Sequence, residues 1–168
     1  MSALRLINET EITSSVESVN ITDVFSADFD IYKITLGTGA NYGFLKFINL
    51  AGSVATDNAY DTARLNLRTN TSFSETRVTN QTVGWYMFSE LQTATGGGNT
   101  IWIFNPFSSS SYTFGLGQTI DVASSTSNRI AKTIGVYKNT QSLTGYRCDT
   151  GGGSISGTIK TYGLRVDS

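Results

Sequence analysis

Thr100-Ile-Trp-Ile-Phe-Asn-Pro-Phe107, closed by Ser108-Ser-Ser-Ser-Tyr-Thr113, decides how this chain is read. In an extended segment Ile101 and Ile103 point to one face, and Trp102 and Phe104 to the other. Both faces are apolar, so the segment is expected to be a central strand covered on both sides. Trp102 and Phe104 are accordingly expected to be buried, one in the domain core and the other in the core or a subunit contact. Asn105-Pro106 then stops the strand, because Pro106 lacks an N–H and restricts the residue before it. Four serines cannot build a core, and Tyr112-Thr-Phe114 begins the next strand. Strand, abrupt stop, polar loop and strand describe a β-rich chain.

Working outward, the same pattern recurs. Ser26 to Leu36 holds a strand with Tyr32, Ile34 and Leu36 on one face, and Gly37-Thr-Gly-Ala-Asn41 follows as a turn. Phe44–Asn49 is another strand. In Arg64-Leu-Asn-Leu-Arg68 the leucines are expected inward, with Arg64, Asn66 and Arg68 outward. Residues 69–82 are polar and read as an exposed excursion, and Val83 to Leu91 as a buried strand. Gly96-Gly-Gly98 and Gly151-Gly-Gly153 read as turns, with strands over 113–122, 129–137, 143–149 and 157–166. Residues 1–24 carry only sparse apolar residues (Leu4, Leu6, Ile12, Val16, Val19), which fit either a first strand or a docking arm added to a neighbour's sheet edge. Eight to ten strands with no helical period predict an all-β fold. It is one antiparallel β-sandwich over residues 1–168, jelly-roll-like in architecture.

Composition narrows the function. Tyr 8, Phe 9 and Trp 2 favour strands, and 17 Gly beside one Pro favour tight turns. Only 15% of the residues are charged, so the surface is built from Ser, Thr, Asn and Gln. Such a surface suits a protein packed against other copies or partners, and equally an ordinary low-charge β domain. The net charge of −1, without a basic cluster, argues against nucleic-acid binding. Histidine is absent and Cys148 stands alone, which removes an internal disulfide, the commonest metal ligand and the usual general base. The N-terminal segment has no secretory pattern, and no apolar run reaches the length of a membrane helix. The Asn-x-Ser/Thr sites at Asn8, Asn20, Asn70 and Asn80 therefore read as chance, and the product as made in the cytoplasm.

Each candidate site has an ordinary alternative. Asp28 and Asp30 share a strand face if extended, as a paired-carboxylate glycosidase would need, but two such acids at a strand's start also read as turn caps. Asp57, Asp61 and Glu75 offer oxygen ligands for calcium, without a matching loop motif. Trp85, Tyr86, Trp102 and Phe107 would suit a sugar-stacking platform, but they are first of all what a sandwich core or a subunit contact needs. The glycine runs lead into no helix with a lysine, so they do not read as phosphate loops. No catalytic, cofactor-binding or metal residue is assigned.

Five stretches in order resemble small all-β virion structural proteins of tailed bacteriophages. Phe29-Asp-Ile-Tyr-Lys-Ile34 resembles that family's Tyr-Asp-x-Tyr-x-Ile strand, and Leu65-Asn-Leu-Arg-Thr69 its Leu-x-Leu-Arg strand. Ile103-Phe-Asn-Pro106 with Ser109-Ser-Ser-Tyr-Thr113 is similar to Ile-Tyr-Asn-Pro and Ser-Tyr-Thr. Gly135-Val-Tyr-Lys-Asn-Thr140 resembles Gly-x-Tyr-x-x-Thr, and Ile155-Ser-Gly-Thr-Ile-Lys-Thr-Tyr-Gly-Leu164 the C-terminal Ser-Gly-Thr-Ile-x-Leu-Tyr-Gly strand. Phe29, Thr161 and the excursion at 69–82 depart from the pattern. The resemblance implies a jelly-roll-like, non-enzymatic virion protein, homo-oligomeric with a trimer favoured. It would contact other virion proteins as a capsid decoration or a tail or neck component. A receptor-binding, lectin-like module for host-surface glycans is the alternative.

Overall fold

The computed structural model describes residues 3–37, 43–69, 73–88, 97–124 and 127–165. Among them are twelve strands and no helix: β1 (Ala3–Val16), β2 (Ser18–Ile21), β3 (Ile31–Gly37), β4 (Gly43–Asn49), β5 (Tyr60–Arg68), β6 (Ser74–Gln81), β7 (Trp85–Phe88), β8 (Gly97–Phe104), β9 (Thr113–Ser124), β10 (Ser127–Tyr137), β11 (Leu143–Asp149) and β12 (Ile155–Arg165). One sheet runs β1-β12-β3-β8-β9-β10-β5-β6, the other β2-β11-β4-β7. The recorded strand pairs are antiparallel.

If β5–β6 and β9–β10 are set aside, the remaining eight strands lie in the order first-eighth-third-sixth facing second-seventh-fourth-fifth. This is the jelly roll, with its two Greek keys. The other four strands are two inserted antiparallel pairs, and both extend the larger sheet beyond β8.

Aromatic side chains fill the space between the sheets. Phe47 meets Trp85 edge-on at 4.7 Å and stacks on Tyr60 at 6.1 Å; Tyr60 lies 4.7 Å from Tyr137. The Tyr60 hydroxyl accepts from Phe47 N at 2.9 Å and faces Ala55 O at 3.3 Å, so a polar group within the core is satisfied. Trp85 and Met87 lie on a shelf of glycines. A Cβ on Gly115 would stand 2.6 Å from the Trp85 ring, and one on Gly117 3.0 Å from Met87 Sδ. These glycines sit in strand interiors because the indole and thioether occupy the space their side chains would take.

Several expectations change. Ile101 and Ile103 are fully buried, but Trp102 and Phe104 lie on the outer face of the large sheet, half-buried by neighbours. Among the described residues no second layer covers that face. In β5 the polarity is inverted: Thr62 and Arg64 are buried, while Leu65 is 42% exposed. The phase is set by Tyr60, whose burial and hydrogen bonds carry residues 62 and 64 inward with it. Residues 74–81 are a strand at the sheet edge, not a loop excursion. Gly97 and Gly98 belong to β8; Gly96 and most of the turn expected at 37–41 lie outside the described residues. Residues 3–21 pair within the chain, β1 with β12 and β2 with β11, and Ile12 and Ile21 enter the core.

Candidate functional site

The structure does not bring the candidate acids together. Asp28 sits in the turn before β3, where its carboxylate accepts from Ser26 Oγ at 3.2 Å, and the Asp30 carbonyl accepts from Asn105 N at 2.7 Å. These are turn roles. Asp57 accepts from the Tyr137 hydroxyl at 2.9 Å and from Asn139 Nδ2 at 2.8 Å. Burial, with the Asp57 charge beside it, pushes the Tyr137 hydroxyl above its ordinary range. Asp61 accepts from Asn80 N at 2.8 Å and pairs with Lys138 at 3.0 Å; burial acts to raise its pKa, but these partners hold it below the usual value. Glu75 is exposed on β6. Among the described residues no group of three His, Cys, Asp or Glu side chains is placed to hold a metal. Cys148 is buried, and burial raises its thiol far above a reactive range.

The four aromatics do not form one platform. Trp85 is in the core, Trp102 is on the outer sheet face, and Phe107 is half-buried in the loop after β8. Tyr86 lies at the free edge of the small sheet, 5.3 Å from Phe44, with the Arg64 guanidinium 4.8 Å over its ring. Together with Thr76, Val78 and Gln81 they line a groove of about 340 Å³ between β6 and β7.

The larger feature was invisible to motif reading. On the outer face of the eight-stranded sheet, cross-strand partners align into rows. One row runs Leu4, Leu164, Ile31, Phe104, Phe114 and Val136 across six neighbouring strands. The next runs from Leu6 and Tyr162 through Lys33 to Trp102, Leu116 and Ile134, ending on Ala63. Many of these side chains are open to solvent, Leu6 at 47%, Phe114 at 44% and Ile134 at 59%. Lys33 Nζ lies 5.6 Å from the Trp102 ring, and Lys160 pairs with Glu9 at 3.1 Å, so two of the cations on this face are engaged within the sheet. Beyond the polar row, Ile120 and Ile130 form a further apolar pair, 63% and 44% exposed. Outward alternation in β9 (Phe114, Leu116, Ile120) and β10 (Ile130, Ile134) is the sequence signal of this face, masked because inward positions there are Gly and Thr.

Compared with known proteins, the chain matches no family model, no curated protein and no solved structure.

Proposed function

We propose that this chain is a non-enzymatic structural protein of a tailed bacteriophage particle. In this reading it is made in the host cytoplasm and seated on the virion as a capsid decoration or a tail or neck component, working by association with other copies and other virion proteins. The observation that carries the reading is the uncovered apolar face of the eight-stranded sheet. Monomeric soluble proteins rarely keep a contiguous apolar patch larger than a few hundred Å² unless something covers it. The order of motifs noted above adds the virion, and jelly rolls serve in viral capsids and also in lectins. The separate structural engagement of Asp28, Asp57 and Asp61 supports a role without catalysis. The test is gold-labelled antibody on purified particles. Label at a fixed position on the particle is expected; protein left wholly in the particle-free supernatant would sink the reading.

A second reading has its own observation, the groove beside Tyr86. An aromatic wall of Phe44 and Tyr86 with Arg64, Thr76 and Gln81 along it offers a flat apolar face and polar partners, as a pyranose ring needs. A glycan array decides this: binding lost in Tyr86→Ala favours the lectin, and an array without signal removes it.

A further inference from the structure

We infer that the outer face of the eight-stranded sheet is the seat of a second copy of this chain, packed face to face about a two-fold axis. The inference rests on the assembly reading above and names its first partner.

Size is the first argument. The six strands β3, β8, β9, β10, β5 and β6, which a two-fold axis between β9 and β10 can oppose, lie about 4.8 Å apart and, with four outward residues about 6.8 Å apart on each, make a face of roughly 780 Å². Sheet twist pulls the corners away, leaving an area toward the lower end of the ~600–1,000 Å² per partner that stable interfaces bury. Sheets packed face to face keep their strand directions within about 30° of each other, with side chains interdigitating.

Shape is the second argument, and it selects a copy of the same chain. Along one row the outward side chains are Trp102, Leu116, Ile134 and Ala63, on the neighbouring strands β8, β9, β10 and β5. Trp102 is the bulkiest side chain of that row, half-buried beside Lys33. Ala63 is the floor of a hollow of about 380 Å³, walled by Leu65, Arg77 and Ile134. Bulky side chain and hollow therefore lie in one row, three strands apart, on the same molecule. An axis parallel to the strands, passing between β9 and β10, keeps that row in register with itself. It sets Trp102 of each copy over Ala63 of the other and Leu116 against Ile134, reciprocally, as an isologous contact requires. In the adjoining rows it opposes Phe114 to Val136 and Ile120 to Ile130.

Charge is compatible with this placement. On those four strands the outward charges are Lys132 and Asp61, and the axis sets Lys132 opposite Gln118 and Asp61 opposite Phe104 at the rim. No like charges meet across the centre. Lys33 and Arg77 face one another one strand farther out, where twist separates the sheets. The symmetry makes a pair, so this face does not build the trimer that the family resemblance implies.

The test is sedimentation of the full chain, with Ile134→Glu and Leu116→Glu as seam variants and Leu50→Glu, exposed on a loop, as the control. The wild type and the control are expected to form dimers. Each seam variant, with unchanged far-UV circular dichroism, is expected to weaken pairing by at least about 100-fold, because it buries an unpaired carboxylate. Trp102 emission in the wild type should shift to the blue as concentration rises through the pairing range, and dilution should reverse the shift. A wild type that stays monomeric up to about 100 µM, where even a weak interface of this size would associate, overturns the inference. So does a dimer that the seam variants leave intact. Neither result touches the antibody experiment on particles, so the pair and the virion reading fail separately.

Discussion

Gly135 in the middle of β10 offers the sharpest test of how the inserted strands are held. A Cβ built on it would lie 2.8 Å from Met87 Cε and 2.8 Å from Trp85 Cδ2 and Cε2. Gly135 has an ordinary strand conformation, since it is not among the glycines of positive φ. With free space, Gly135→Ala would gain about 0.4–1 kcal/mol by restricting the unfolded chain. Here the fully buried Trp85 ring must move instead, and overpacking of this kind costs roughly 1–3 kcal/mol. Trp85→Ala alone should cost about 3–5 kcal/mol, toward the upper end because the glycine shelf offers no side chains to fill the gap. With the indole gone, the methyl at 135 meets only the flexible end of Met87. Adding Gly135→Ala to that background should then be neutral or stabilising. Urea denaturation of the four proteins, followed by far-UV circular dichroism, gives the cycle directly. We expect a coupling of about 1–2 kcal/mol or more between the two sites. If Gly135→Ala had the same effect in both backgrounds, or stabilised the wild type, the shelf would be a misreading.

Truncation to begin at Asp23 removes β1 and β2, and with them Ile12 and Ile21 from the core; the product should fail to fold, read as loss of a cooperative melting transition. A truncated protein with a wild-type transition would show that these strands contribute little. Burial holds the hydroxyls of Tyr60, Tyr137 and Tyr146 neutral well above their ordinary pKa of about 10, so the folded state loses protons later than the unfolded one. Stability should be full below about pH 10 and fall above it, with tyrosinate absorbance at these sites rising together with unfolding. A gradual titration of every tyrosine in a folded chain would refute this. Asp149 behaves oppositely: burial acts to raise its pKa, but Gly151 N–H, Lys46 at 3.1 Å and Arg147 hold it below the usual carboxylate value. Its contribution is present above about pH 4 and lost below, so Asp149→Asn should flatten the acid side of the stability curve. Asn105 ends β8 at φ 56°, a left-handed conformation that asparagine tolerates. Asn105→Ala should cost about 1 kcal/mol and Asn105→Gly nearly nothing, a ranking that melting temperatures would check.

Much of the β-sandwich is legible in local pattern. The alternation in Thr100–Phe104, the stop at Asn105-Pro106 and the glycine- and serine-rich breaks are properties of a few adjacent residues, so they set strand existence and strand ends. Which face of a strand looks inward is a different matter. Alternation has two phases, and in Arg64-Leu-Asn-Leu-Arg68 the leucines argue for one of them. The chain takes the other, because Tyr60 is anchored between Phe47 and Ala55 and the strand's period of two carries Arg64 inward with it. The same holds for Trp102 and Phe104. Their apolar character is plain in the sequence, but whether a second layer lies over them depends on where β2, β4, β7 and β11 pack. That small sheet covers only the Ile101 and Ile103 side. The glycine shelf hides the outer face in the sequence. Gly115, Gly117 and Gly135 read alone as weak strand residues, and their meaning comes from the side chain of Trp85, distant in sequence and directly above them in space. Sequence by itself determined that this chain makes strands and where they break, since those choices are local. The jelly-roll order, the two inserted pairs and the apolar face they carry were decided by tertiary pairing, because burial depends on partners brought together only when the sheets close.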